Sequence, residues 1–194
     1  HERLFKMLVE GWRRNWNDAE MPFYFVQLSS LNRPGWQWFR DSQRRLQSEL
    51  PNVAMAVSSD KGDSLNVHPT SKQPVGERLA HIALHNLYDF GNVVPSGPAI
   101  KEASVVGDGI VRLTFDYADG LSTADGKHPL TFEIAEEEGV YKPAEARIEG
   151  NTVVVMAAGV AHPRFVRYGW QPFTHANLVN GAKLPASTFR VEVR

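Results

Sequence analysis

The chain has 194 residues, enough for one large domain or two small ones with a real core. It carries 21 Lys and Arg against 22 Asp and Glu, for a net charge of -1, and shows no basic run of the kind that grips nucleic acid. No apolar stretch reaches bilayer-spanning length; without cysteine there is no disulfide, thiol nucleophile or cysteine zinc site.

The chain enters a helical pattern at once. Leu4, Leu8, Trp12 and Trp16 recur every four residues beside Phe5 and Val9, which predicts an amphipathic helix with Trp12 and Trp16 packed in the core. With neither an initiator Met nor a leader ahead of it, this start reads as a chain cut from something longer. Phe23 to Leu28 follows as a near-continuous apolar strand, expected to be buried on both faces. Ser29 to Gly35 is a turn-rich loop. Trp36 to Leu50 predicts a second helix with Phe39, Leu46 and Leu50 on its apolar face, stopped by Pro51. Val53 to Val57 reads as a second buried strand.

A third helix is predicted from Gln73 or Pro74, capped by Thr70 or Ser71, with Val75, Leu79, Ile82 and Leu87 as its apolar face and Gly91 as its stop. His81 and His85 lie one turn apart on it, but the helix lacks the Glu of a zinc-protease motif, so they read as a polar flank. The order helix, strand, helix, strand, loop, helix is the rhythm of a parallel sheet.

From Asn92 the composition changes, and Val93 to Pro98 punctuates a boundary between residues 1–91 and 92–194. Beyond it, short apolar runs at Ile110–Phe115, Leu130–Ile134, Ala146–Ile148, Val153–Met156, Phe165–Tyr168 and Phe189–Val193 alternate with Gly-rich turns. That spacing predicts an antiparallel β-sandwich.

Between the second strand and the third helix sits the stretch Leu65-Asn66-Val67-His68-Pro69-Thr70-Ser71-Lys72-Gln73-Pro74-Val75-Gly76-Glu77-Arg78-Leu79-Ala80. Pro69 biases His68 toward extended backbone, holding an imidazole out from the loop. Open parallel sheets meet their ligands at the carboxyl ends of strands, where this loop departs. A histidine there is a natural proton carrier near neutral pH.

This stretch resembles the catalytic-histidine block of the sialate O-acetylesterase family, a branch of the SGNH hydrolases. The segments RLFKMLVEGWRRNW, PFYFVQL, YKPAEARIEGNTVVV, VRYGWQPFTHANLVN and LPASTFR are similar to that family in the same order. The resemblance implies a partial SGNH-type three-layer α/β domain with a parallel sheet over residues 1–91 and a β-sandwich domain over 92–194. It also implies hydrolysis of acetyl esters on sialic acid or a related sugar, without a cofactor or metal, in a periplasmic or secreted setting. The family's serine lies in a Gly-Gln-Ser-Asn block, with a Gln-Gly-Glu-Ser block after it. Both would precede His1 and neither occurs in these residues, so this polypeptide alone is expected to be inactive.

Within the resemblance His68 is the general base. Many relatives carry Asp two residues before that histidine, where Asn66 stands here. An Asn orients an imidazole but brings no full charge, so Asp63 or Asp60 on the same loop would supply it; both read equally well as solvated turn residues. Arg78 reads as structural rather than substrate-binding. Trp36 and Trp38, at a loop–helix junction near a strand end, leave sugar contact open, and Arg167 to Ala186 reads as a tie between the two parts. Ser29 and Ser30 lack a nucleophile elbow.

The competing class is a non-catalytic carbohydrate-binding or scaffold module, which the exposed aromatics and the missing nucleophile would suit. Sequence upstream of His1 discriminates the two. The expected partners are an acetylated sugar and the missing N-terminal part of the same protein, with neither nucleic acid nor membrane. A parallel sheet cut midway leaves an open edge that the β-part or a homo-oligomer would have to cover.

Overall fold

The computed structural model describes residues 1–194. Its first helix, α1 (Glu2–Trp16), places Glu2 in the first turn and Arg13 and Arg14 in the last, each complementing the helix dipole. Asn17 ends it in the left-handed conformation, its N–H returning to carbonyls of the last turn. The chain then forms β1 (Phe23–Val26), α2 (Trp36–Glu49), β2 (Val53–Ala56), a 3-10 turn at Ser59–Lys61 and α3 (Gln73–Asn86).

β1 and β2 pair in parallel, Phe23 opposite Val53 and Val26 opposite Ala56, with α2 as the crossover. α1 lies over β1, where Phe5 meets Phe23 at 5.7 Å and Phe25 at 4.8 Å between ring centroids. It runs beside α2, tied by the ion pairs Lys6–Glu49 and Glu2–Arg45. α3 packs against both strands through buried Ile82.

Several expectations fail here for one reason: periodicity finds an apolar face but not what covers it. On α1 only Val9 and Arg13 are buried, while Leu4 and Trp16 are 68% and 69% exposed and Leu8 and Trp12 are exposed too. Trp12 and Trp16 are therefore not core packing. β1 is half-buried rather than enclosed on both faces, with Val26 exposed, because the strand has a neighbour on one edge alone. α2 buries Arg40, Asp41, Ser42 and Leu46, and Phe39 faces solvent. α3 has Lys72 at its N-cap with no side-chain cap bond, so neither Thr70 nor Ser71 serves; Pro74 in the first turn supplies the helical φ instead.

The second half is antiparallel. Its strands are β3 (Ala99–Gly107), β4 (Ile110–Asp116), β5 (Ser122–Thr123), β6 (Phe132–Ala135), β7 (Lys142–Pro143), β8 (Glu145–Glu149), β9 (Thr152–Met156), β10 (Phe165–Tyr168), β11 (Leu178–Val179) and β12 (Phe189–Glu192). Two four-stranded sheets, β3-β4-β9-β8 and β12-β10-β6-β7, enclose one core. Val111, Leu113, Val153 and Val155 supply one side, and Phe132, Ile134, Val166, Tyr168 and Phe189 the other. Each such side chain contributes on the order of 1.5–3 kcal/mol by leaving water. The β5–β11 pair closes one end, where Leu178 N–H donates to the buried Tyr168 hydroxyl at 2.7 Å. Burial pushes that hydroxyl's pKa upward.

Arg40, fully buried, joins the two halves. Its guanidinium donates to Thr188 Oγ1 (2.9 Å) and to the carbonyls of Gly169 (2.9 Å), Gln171 (2.5 Å) and Pro172 (2.6 Å). No carboxylate faces it, and burial brings its pKa down to about 10. Gln27 adds a second tie, its Nε2 donating to Ser187 Oγ at 2.7 Å and to Arg40 O at 3.0 Å. The segment 169–188 thus joins the two parts.

Candidate functional site

The carboxyl ends of β1 and β2 open into two loops that pack on each other. Gly62 lies against Ser30 so closely that a Cβ there would sit 2.1 Å from Ser30 O. Asn32 N–H donates to Ser64 O at 3.1 Å, and Ser58 Oγ donates to Gln27 O at 2.6 Å. Ser30 is fully buried, and its hydroxyl accepts Thr174 N–H at 2.6 Å, so it has no access to a substrate. Trp36 donates its indole N–H to Ser29 O at 2.6 Å and anchors the start of α2. Trp38 is half exposed, with its ring 4.9 Å from Trp170 and the Arg190 guanidinium 5.2 Å away.

The longer loop runs from the 3-10 turn to α3 and carries His68. Arg78, buried on α3, clasps its first part. It donates to Val57 O at 2.7 Å and holds Asp60 in a two-point pair at 2.6 and 2.7 Å. Burial alone would raise the Asp60 pKa, but Arg78's hydrogen bonds and charge outweigh it and hold the carboxyl below its usual value. The main role of Asp60 is therefore to pair with Arg78 rather than to face an imidazole.

Asp63 Oδ1 accepts Leu65 N–H at 2.8 Å and Asn66 N–H at 2.9 Å, and these two bonds hold its pKa down. Asn66 Oδ1 in turn accepts His68 N–H at 2.9 Å. These successive turns shape the backbone that presents His68. The structure thus gathers Asp63, Asn66 and His68 on one turn, yet the His68 ring hydrogen-bonds to neither side chain. His68 is exposed, as is Leu65 three residues before it, at 91%.

His81 and His85 each use Nδ1 on the chain that leaves α3, at Val94 O (3.2 Å) and Val93 O (2.8 Å). No group of three or more His, Asp or Glu side chains is placed to hold a metal ion. A cavity of about 360 Å³ runs along the free edge of β2, lined by Val53, Met55, Ile82, Ile100, Phe189 and Arg44. It lies away from His68 and takes no part in the loop pair.

Sequence reasoning missed the role of Arg40 and of the Arg78–Asp60 clasp. The first left no signal in the residues around it; a signal for the second was an arginine one turn before Ile82 on the packed side of α3.

Comparison with known proteins adds the chemistry. The chain is similar to a carbohydrate acetylesterase. That protein, from Xanthomonas citri, matches 98% of this chain at 36% sequence identity with a TM-score of 0.89. The present chain spans 45% of its length. Two structures of a bacterial S-layer protein each match 81% of the chain at 13% and 14% identity, with TM-scores of 0.39 and 0.38, too distant for inference. No family model matches the chain, and no curated protein does.

Proposed function

We propose that this chain belongs to a carbohydrate O-acetylesterase of the sialate O-acetylesterase-like, SGNH type, with residues 1–91 in its catalytic domain and 92–194 forming a β-sandwich domain. The observation that carries the reading is the match at 36% identity over 98% of the chain to a carbohydrate acetylesterase. The exposed His68 on a loop at the carboxyl end of a parallel strand supports it.

In this reading a serine outside these residues attacks the acetyl carbonyl. His68 takes the hydroxyl proton as the Ser–O bond to carbon forms, then delivers it to the sugar oxygen as the ester bond breaks. Water repeats the exchange on the acyl-enzyme, releasing acetate and restoring the serine. Asn66 sets the backbone of His68, and the second oxygen of Asp63, free of hydrogen bonds here, is the loop's candidate to balance an imidazolium. Sialic acid or a related acetylated sugar is the substrate, and the periplasm or cell exterior the setting.

The test is acetate release from an O-acetylated sialic acid and from an aryl acetate. It uses the gene's product with any sequence encoded ahead of His1 included, beside His68→Ala and beside the 194-residue chain. His68→Ala should lower kcat by about 10²–10⁴, and the 194-residue chain should release no acetate. Equal activity with and without His68 would refute its role, and no activity in any form would refute the esterase.

A further inference from the structure

The edge of β2 turned away from β1 opens into the cavity of about 360 Å³ between the two halves. In the parallel pair, Phe23 N–H and Gln27 N–H donate to Asn52 O and Ala56 O, so the even-numbered residues of β2 face β1. By strand alternation the N–H and C=O groups of Val53 and Met55 point the other way, toward the cavity that both residues line. No strand pairs with that edge, and no other backbone bond reaches Val53 or Met55. Both residues are buried, Met55 to 4% exposure. Buried amides and carbonyls find a partner in protein, water or ligand. Here the partner has to come from the cavity.

α2 and α3 both pack on β2 and wall the cavity in. Ile82, Ile100 and Phe189 add apolar lining to that of β2 itself. Arg44 is the one charged side chain in the lining, and no carboxylate faces it there. It gives Nε to Asp41 Oδ1 at 2.8 Å, while the other oxygen of Asp41 is taken by Arg45. The two terminal nitrogens of Arg44 are left without a partner. One cavity thus combines strand-type donors and acceptors, apolar walls and a guanidinium fork short of an anion.

We propose that this cavity binds a short apolar peptide by its carboxyl terminus, laid beside β2 as an added strand with its terminal carboxylate on Arg44. The open groups of Val53 and Met55 repeat roughly every 6.6 Å, the spacing at which a second extended chain presents its own N–H and C=O. The volume falls at the small end of ligand sites, which suits a few residues rather than a folded partner. A sugar acid would also bring a carboxylate, but it carries no row of donors and acceptors at strand spacing. The cavity lies apart from His68, and the inference stands without the esterase reading.

Fluorescence anisotropy tests this with a peptide that ends Val-Ile-Val and carries a dye at its amino end. It is titrated with the gene's product, any sequence encoded outside residues 1–194 included. Saturable binding is expected. Amidating the terminal carboxylate, or N-methylating the peptide backbone, should each weaken it at least about tenfold, and neither change touches the protein's fold. Arg44→Gln should weaken it by a similar factor and erase the difference between acid and amide peptides, while Asp41 keeps Arg45. His68→Ala should bind like the wild type. Saturating peptide should slow hydrogen exchange at the Met55 amide about tenfold or more. Absence of saturable binding at millimolar peptide would overturn the proposal, as would equal affinity for acid and amide peptides or an unprotected Met55 amide. Displacement of the peptide by an acetylated sugar acid at lower concentration than by unlabelled peptide would give the cavity to a sugar and overturn it too.

Discussion

Replacing Arg40 examines how the two halves are held. Its guanidinium makes four hydrogen bonds, but they are not equally replaceable. Gly169 O also accepts the Thr188 hydroxyl, and Pro172 O also accepts Leu31 N–H. Gln171 O has Arg40 alone. In Arg40→Met that carbonyl loses its partner, at about 1–3 kcal/mol, while removal of a charge that was costly to desolvate offsets part of the loss. A net cost of roughly 0.5–2 kcal/mol follows. Arg40→Ala adds the void of the missing stem and should cost about 3–5 kcal/mol, a large share of a typical total of about 5–15 kcal/mol.

The assay is urea unfolding followed by far-UV ellipticity and by tryptophan fluorescence, which reports the Trp38–Trp170 contact across the junction. The wild type should give coincident transitions. Arg40→Ala should lower the midpoint and separate the two signals as the helical part loosens before the sandwich. If Arg40→Met matches the wild type in both midpoint and coincidence, the carbonyls of 169–172 need no guanidinium, and the reasoning that makes Arg40 the tie is refuted.

The Asp60–Arg78 clasp gives a prediction with a sign. The folded Asp60 carboxyl sits below its usual value, so the pair's stabilisation is complete above about pH 4 and fades as pH falls through the lowered pKa. Arg78→Met leaves Lys61, 3.3 Å away, as the remaining cation beside Asp60, so the carboxyl's pKa rises toward its usual value and the loss of stability on acidification below about pH 4 should shrink. Melting temperatures from about pH 3 to 7 would show the shallower acid limb; parallel curves would count against the clasp. Gly62→Ala forces a Cβ into Ser30 backbone and should cost about 1–3 kcal/mol, with faster exchange at Asn32 N–H, which bridges the two loops. An unchanged midpoint would mean the loops do not bear on each other.

Much of the fold could be read from residue pattern. The limits of α2 fall within a residue of the expected ones, and Phe165–Tyr168 forms as predicted, because turns and Pro51 punctuate them locally. β3 escaped notice, since Lys101 and Glu102 break its alternation and a register shift between Ile100 and Glu102 absorbs the irregularity. The burial of Arg40 was invisible for a different reason. Its partners lie 129 to 148 residues away, and nothing near it announces a cluster of carbonyls. At the site, His68 and its turn were legible from Asn66, Pro69 and Asp63. The ring's lack of a side-chain partner was not, because short-range spacing cannot tell whether a carboxylate bonds to an imidazole or to the backbone beside it.

The tie through Arg40 also bears on how the chain is made. The acceptors of its guanidinium, and the serine that receives Gln27, all belong to residues 169–188. During synthesis the first helices and strands emerge long before those residues, so buried Arg40 and Gln27 must wait with their polar groups in water. Contacts of such separation form late and slow folding. The helical part should therefore reach its final packing only after the last strand has left the ribosome, and a stop codon just before Ser187 should leave the early half soluble-exposed and prone to degradation.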